Sequence, residues 1–170
     1  MLSVVIPVYN EGAVLEKTAS VIRGVLSDAA IGCELIFVDD GSKDATWEKI
    51  TALSASGGIR GLHFSRNFGK ESAMYAGLEA ATGDYVAIMD VDLQDPPELL
   101  PGMLQSIEEE GYDCVATRRV TRKGEPPIRS FFARQFYRLI NRISKTEIVD
   151  GARDFRLMTR QMVEAILRVT

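Results

Sequence analysis

The sequence predicts an α/β fold with a mostly parallel sheet and helices on both faces. Two observations carry this. Short β-rich runs alternate with longer segments of helical periodicity along the chain. The runs VVIPV, LIFV and YVAIM are apolar at consecutive positions rather than at every second one, as strands covered on both sides require. A third observation locates the chemistry: polar clusters follow four of the strand candidates, and in such sheets ligands sit beyond the carboxyl ends of the strands.

The strand candidates are Leu2–Val8, Cys33–Asp39, Gly61–Ser65, Tyr85–Asp90 and Asp113–Thr117. Between them, Glu11–Leu26, Asp44–Ala55, Lys70–Ala81 and Pro97–Glu110 are long and periodic enough for helices. Ser42 and Asp44 are suited to cap the second helix, and Gly83 and Gly111 stand just past the ends of the third and fourth. Val120–Pro127, with Gly124, Pro126 and Pro127 among charges, reads as a loop. A chain of 170 residues, 46 % hydrophobic and 26 % charged, is expected to form one soluble domain over 1–170 with a sizeable core. Cys33 and Cys114 each adjoin an apolar run and are expected to be buried thiols in a reducing compartment. No basic and apolar leader opens the chain, and no apolar run approaches the ~18 residues of a membrane span.

The net charge of −4 gives no global attraction for nucleic acid, which is excluded as a partner. Charge is unevenly spread, however. Arg118 to Lys145 holds nine basic residues and one acid, Glu125. Within it, Arg134, Arg138 and Arg142 recur every fourth residue beside an apolar stripe of Phe132, Phe136, Leu139 and Ile143. This pattern fits a helix lying on an anionic membrane surface, or a helix packed on its own domain with a solvated basic side.

The segment YVAIMDVDLQDPP is the most informative. Asp90 and Asp92, two residues apart in an extended segment, are expected to face the same spot past a strand end. Two such carboxylates repel unless a cation lies between them, and hard oxygen ligands suit Mg²⁺ or Mn²⁺ gripping a diphosphate; the plain alternative is an acidic loop with solvated charges. No G-x-G-x-x-G follows the first strand and no G-x-x-x-x-G-K-[ST] exists, so neither dinucleotide nor P-loop logic applies. Tyr9 is placed to stack on a base or to fill the core. Asp40 is placed to accept from base or ribose, or to shape a tight turn with Asp39 and Gly41. An acidic pair after the second strand and an Asp-x-Asp after the fourth argue against phospho-acceptor receiver modules and Asp-nucleophile phosphatases, which carry these features at the first strand.

Together VVIPVYNE, ELIFVDDGSKDAT, RNFGKESAMYAGLEAATGDYVAIMDVDLQDPPE and DFRLM resemble glycosyltransferase family two, in its polyprenyl-phosphate sugar transferase branch, over roughly Leu2 to Arg160. The resemblance implies a GT-A type fold and sugar transfer from a nucleoside diphosphate sugar to a polyprenyl phosphate, inverting and metal-dependent. It implies that Pro7, Tyr9, Glu11, Val38 and Asp40 hold the nucleoside, with Val91 also at the donor and Lys70 where a phosphate or sugar is met, the plain alternative being a solvent-facing first-turn lysine. Asp90 and Asp92 correspond to the metal pair and Gln94 to a third ligand. Arg118 corresponds to an arginine at the donor phosphates, and Asp154 and Arg156 lie toward the acceptor; Asp92, Arg118, Asp154 and Arg156 form the implied catalytic set. Arg153 departs from the small residue usual before this Asp. MDVDLQDPPE leans toward the bacterial glucosyl branch and UDP-glucose. The branch works at the cytoplasmic face of the membrane, often as assemblies, and usually continues into C-terminal membrane helices not found in these 170 residues. A family member with a sugar or protein hydroxyl acceptor, or a non-catalytic nucleotide-binding module, are the alternatives.

Overall fold

The computed structural model describes residues 1–55, 57–118 and 152–169. In chain order the elements are β1 (Leu2–Val8), α1 (Leu15–Asp28), β2 (Cys33–Asp39), α2 (Thr46–Ser54), β3 (Ile59–His63), α3 (Lys70–Ala80), β4 (Tyr85–Ile88), a 3₁₀ turn (Pro97–Leu99), α4 (Leu100–Glu110), β5 (Cys114–Arg118), β6 (Ala152–Thr159) and α5 (Arg160–Leu167). The chain divides into two compact units, Met1–Val115 with Asp154–Thr170, and Ala116–Arg153. The site described below belongs to the first.

The strand order is β3-β2-β1-β4-β6-β5. β1 pairs in parallel with β2 and β4, β2 with β3, and β6 runs antiparallel to β4. The expected mostly parallel sheet is therefore present, with β6 as an addition the sequence reading did not assign as a strand. The reason lies in its composition: ARDFRLMT mixes Arg153, Asp154 and Arg156 with apolar residues, so neither a continuous apolar run nor clean alternation marks it.

Consecutive apolar residues divide between two cores, as strand alternation demands. Leu2, Val4, Ile6 and Val8 of β1, Leu35 and Phe37 of β2, Ala87 and Met89, and Phe155 and Leu157 of β6 pack with α1, α2 and α4 on one face. Val5, Ile36, Val38, Val86, Ile88 and Met158 pack with α3 and α5 on the other. Helix α4 ends at Gly111 in the left-handed conformation, as expected (φ 75°).

The chain steps outward from β1 to β2 to β3, then returns to place β4 on the opposite side of β1. This reversal is the switch point at which an open α/β sheet splays its loops apart and leaves a crevice.

Three expectations are corrected. β4 stops at Ile88, and Val91 and Asp92 lie in a turn, so Asp90 and Asp92 are not alternate residues of one strand. Helix α1 starts at Leu15 rather than Glu11, because Val14 N–H closes a turn on the Glu11 carbonyl and leaves Glu11 in the loop. Cys114 is exposed and Cys33 only half-buried. The basic segment Pro127–Lys145 lies outside the described residues.

Candidate active site

Pro7, Val8, Tyr9, Glu11, Asp40, Asn67, Gly69, Lys70, Ala73, Asp90, Val91 and Asp92 surround a cleft of about 410 Å³ at the carboxyl ends of the strands. The loops after β1, β2, β3 and β4 all contribute, so the four polar segments do meet.

Each loop is held by its neighbours. Asp39 is wholly buried at the end of β2. It accepts hydrogen bonds from the Ser42 amide at 3.0 Å, from the Ser42 hydroxyl and from His63 Nδ1–H at 2.8 Å. His63 in turn stacks on Trp47, with centroids 4.8 Å apart. The Ser42 hydroxyl accepts from the Asn10 amide at 2.8 Å, and the Asn10 side chain accepts from the Lys43 amide at 2.8 Å. Asn10 has φ 55°, a conformation Asn tolerates better than most residues. Ser42 thus ties two loops together instead of capping α2. Asp44 does not cap it either: Ala45 holds the N-cap position without a side-chain cap, and Asp44, one residue earlier, accepts from the Thr46 amide at 3.0 Å.

Asp40 is 4 % exposed. Its two carboxylate oxygens accept from the Phe68 amide at 2.7 Å and the Gly69 amide at 3.0 Å. Of the two roles open to it from sequence, the loop-shaping one is thus present, but across to the β3–α3 loop rather than within its own turn. A carboxylate has about four acceptor positions, so Asp40 retains capacity toward the cleft it lines. The same loop is braced by Arg66, whose guanidinium lies 4.7 Å from the Phe68 ring centre, and by Phe64 edge-on to Phe68. Gly41 (φ 70°) permits the approach: a Cβ there would stand 2.4 Å from the Arg66 carbonyl carbon.

The Asp90–Asp92 turn is pinned by a residue the sequence reading did not select. Thr18, buried in α1, donates to the Val91 carbonyl at 2.6 Å. Asp92 accepts from the Gln94 amide at 3.0 Å, and Leu93 between them takes φ 57°. A left-handed leucine is uncommon, and it stands directly after the cleft-lining Asp92. A lone threonine in an amphipathic helix carries no sequence signal for this contact. Asn67 and Gly69 could have been selected, since both lie in the RNFGK segment.

Lys70 opens α3. Its Nζ lies 2.6 Å from Asp90 Oδ1 and 2.7 Å from Asp154 Oδ2. Asp154 comes from β6, which pairs beside β4 and brings the two acids together. The Arg156 guanidinium is 3.5 Å from the other Asp154 oxygen. The Lys70 hydrogen bond holds the Asp154 carboxyl below its ordinary range against opposing burial, with the Lys70 and Arg156 charges adding to it. Burial opposes the charged form of Lys70, yet its two carboxylate partners raise its pKa overall.

Tyr9, 40 % exposed, presents its ring at the cleft, and Glu11 lines it with its amide bonded to Thr46 Oγ1. Val38 is placed otherwise than expected: its side chain is wholly buried with Val5 and Ala73, and it supports the cleft without lining it. Gln94 is exposed and meets Asp92 through its backbone rather than its amide side chain. Arg118 ends β5 and belongs to the second unit.

Two carboxylates at one cleft suit Mg²⁺ or Mn²⁺, which take their remaining ligands from phosphate and water. Among the described residues no group of three or more His, Cys, Asp and Glu side chains is placed to hold a metal. Two carboxylates beside a cleft fit a hard divalent ion shared with a ligand.

The family model described as Glycosyl transferase family 2 matches residues 3–167. The chain is 40 % identical over 166 residues to the prophage bactoprenol glucosyl transferase homolog of Escherichia coli K12, covering 97 % of this chain and 54 % of that protein. It is 38 % identical over 171 positions to the putative glycosyltransferase CsbB of Bacillus subtilis, covering 100 % and 51 %. The chain thus spans about half the length of the curated relatives it matches. Among solved structures, mannosyl-3-phosphoglycerate synthase from Rubrobacter xylanophilus is similar with a TM-score of 0.72 at 22 % identity, over 95 % of this chain and 54 % of that one. The mannosyltransferase PcManGT from Pyrobaculum calidifontis, in complex with GDP-Man and Mn²⁺, has a TM-score of 0.66 at 21 % identity, over 97 % and 46 %. These likenesses show a GT-A fold.

Proposed function

Because the chain belongs to glycosyl transferase family 2, we propose that it carries the catalytic domain of an enzyme transferring a sugar from a nucleoside diphosphate sugar to a polyprenyl phosphate. The observation that carries this is the single cleft joining Tyr9, Glu11 and Asp40 to Lys70, Asp90 and Asp92. Relatives named bactoprenol glucosyl transferases support a glucosyl group as the sugar and a polyprenyl acceptor; UDP-glucose is the donor proposed.

Asp90 and Asp92 would hold Mg²⁺ or Mn²⁺, with Gln94 as the proposed third ligand. When bound, the ion neutralises charge on the departing diphosphate, commonly a contribution of several kcal/mol. Tyr9 flanks the base, Glu11 and Asp40 take the nucleoside, and Asp40 also keeps the Phe68–Gly69 backbone in place against the donor. Arg118 supplies bidentate donors to the phosphates. Asp154 is already ion-paired to Lys70 and near Arg156, so it is poorly suited to remove a proton. A phosphate monoester needs no such base, since its second pKa is about 6. This favours the lipid phosphate over a hydroxyl acceptor and gives Asp154 and Arg156 a positioning role. Direct displacement inverts the anomeric centre. We further read 1–170 as one catalytic domain in which residues 118–145 meet the anionic cytoplasmic face of the membrane.

Calorimetry with UDP and GDP, each with and without Mn²⁺, tests the donor half. The expected result is metal-dependent binding of one diphosphate that disappears in Asp92→Ala; absence of any nucleotide binding overturns the proposal. The acceptor half is tested with a chain extended past Thr170, a short polyprenyl phosphate and a panel of labelled nucleotide sugars, read as a lipid-linked product.

A further inference from the structure

The Lys70–Asp90 pair raises a question the proposed function leaves open. If Asp90 is a metal ligand, it already has a cation at 2.6 Å. The ammonium also contacts Asp154 at 2.7 Å, while Arg156 gives Asp154 a second cation at 3.5 Å. The three side chains are each only about two-fifths exposed, so the pairs are partly sheltered from screening. Lys70 stands on the first residue of α3, and the amide of Gly69 before it is fixed by Asp40. The ammonium is therefore anchored between β4 and β6 rather than held by a free surface side chain.

We propose that Lys70 is the stand-in cation of the metal site: it holds Asp90 in the metal-free cleft and yields it to a divalent ion arriving with the nucleoside diphosphate, remaining on Asp154. The inference rests on the metal-dependent reading above. A metal ion entering alone must displace the ammonium to gain a site with only two carboxylates. With a diphosphate, phosphate oxygens complete its coordination and offset the lost ion pair. Free metal then binds weakly, and metal and nucleotide bind with positive coupling. Lys70 keeps Asp154 oriented throughout, so the acceptor side stays ordered while the donor side exchanges its cation.

The test is Mn²⁺ binding without nucleotide, read from the electron paramagnetic resonance signal of free Mn²⁺, in the wild type, Lys70→Met and Lys43→Met. Lys43 is exposed, and its backbone amide bonds to the Asn10 side chain beside Tyr9, so its neutralisation controls for general electrostatics. Lys70→Met is expected to bind Mn²⁺ alone at least about tenfold more tightly, the worth of one charge-assisted hydrogen bond. The enhancement of Mn²⁺ binding by UDP should shrink by a similar factor. Lys43→Met should stay within about twofold of wild type, because an exposed charge outside the pair is screened. Lys70→Gln provides a second variant should Lys70→Met not fold. No tightening at Lys70, or equal tightening in both lysine variants, overturns the exchange. If wild type binds Mn²⁺ with UDP but Lys70→Met gains nothing, only the exchange falls. If wild type binds Mn²⁺ neither alone nor with UDP, the metal-dependent reading falls and takes the exchange with it.

Discussion

Asp40 offers the sharpest test, because its two candidate roles predict different results for Asp40→Asn. The carboxylate accepts two backbone N–H bonds, from Phe68 at 2.7 Å and Gly69 at 3.0 Å, at a position 4 % exposed. Hydrogen bonds to a charged partner are worth about 1.5–3 kcal/mol each. Asparagine has the same shape but one acceptor oxygen. It keeps one bond in weaker, neutral form and turns an N–H₂ donor toward the other amide. The expected loss is about 2–4 kcal/mol in the unliganded protein. At roughly 2–4 °C per kcal/mol for a chain of this size, the melting temperature falls by about 5–15 °C. Thermal unfolding without nucleotide measures this, and calorimetry on the same sample measures UDP binding. Both should weaken, since the loop that carries Lys70 loosens with the clasp. If UDP binding is lost while the melting temperature of the free protein is unchanged, Asp40 acts on the ligand alone and the clasp argument is wrong.

Three further outcomes are expected. Gly77 in α3 faces β1, where a Cβ would lie 2.2 Å from Val5 Cγ1 and 3.2 Å from Val38 Cγ2; Gly77→Ala should lose about 1–2 kcal/mol in urea unfolding, overpacking outweighing the roughly 1 kcal/mol gain in helix propensity. Gly41→Ala should lose at least about 2 kcal/mol and weaken UDP binding in parallel, since left-handed φ and a clash with the Arg66 backbone add together. Glu34 carries a pH signature: burial pushes its carboxyl up, but hydrogen bonds from Ser3, Thr82 and Arg60 outweigh this and hold it below the usual range. Its stabilisation is complete above the ordinary glutamate pKa of about 4.3 and is lost as pH falls through the lowered native value. The urea midpoint gap between wild type and Glu34→Gln should therefore shrink from pH 6 toward pH 3; a pH-independent gap contradicts the assignment.

Much of the architecture was legible because burial on both faces leaves a mark in one dimension. VVIPV, LIFV and YVAIM could be read as covered strands, and the helices between them followed by length and period. The four polar segments at strand ends were legible for the same reason, since parallel connectivity puts the carboxyl ends of β1, β2, β3 and β4 at one edge of the sheet. Tyr9, Asp40, Asp90 and Asp92 were found this way, Glu11 and Lys70 through the family resemblance, and all six share one cleft.

What remained hidden depends on contacts between residues far apart in the chain. Sequence identified Asp40 as polar at a strand end, but only the folded chain set Phe68 and Gly69 opposite it. It identified Lys70 and Asp154, 84 positions apart, without linking them, because the link requires β6 to run antiparallel beside β4. The buried Thr18 bond to Val91 and the position of Val38 beneath the cleft are likewise properties of packed neighbours. Period and composition are local quantities and determine which faces are buried and where strands end. Ion pairs and hydrogen bonds act over about 3 Å, so which partners meet is decided by topology and register in the assembled sheet.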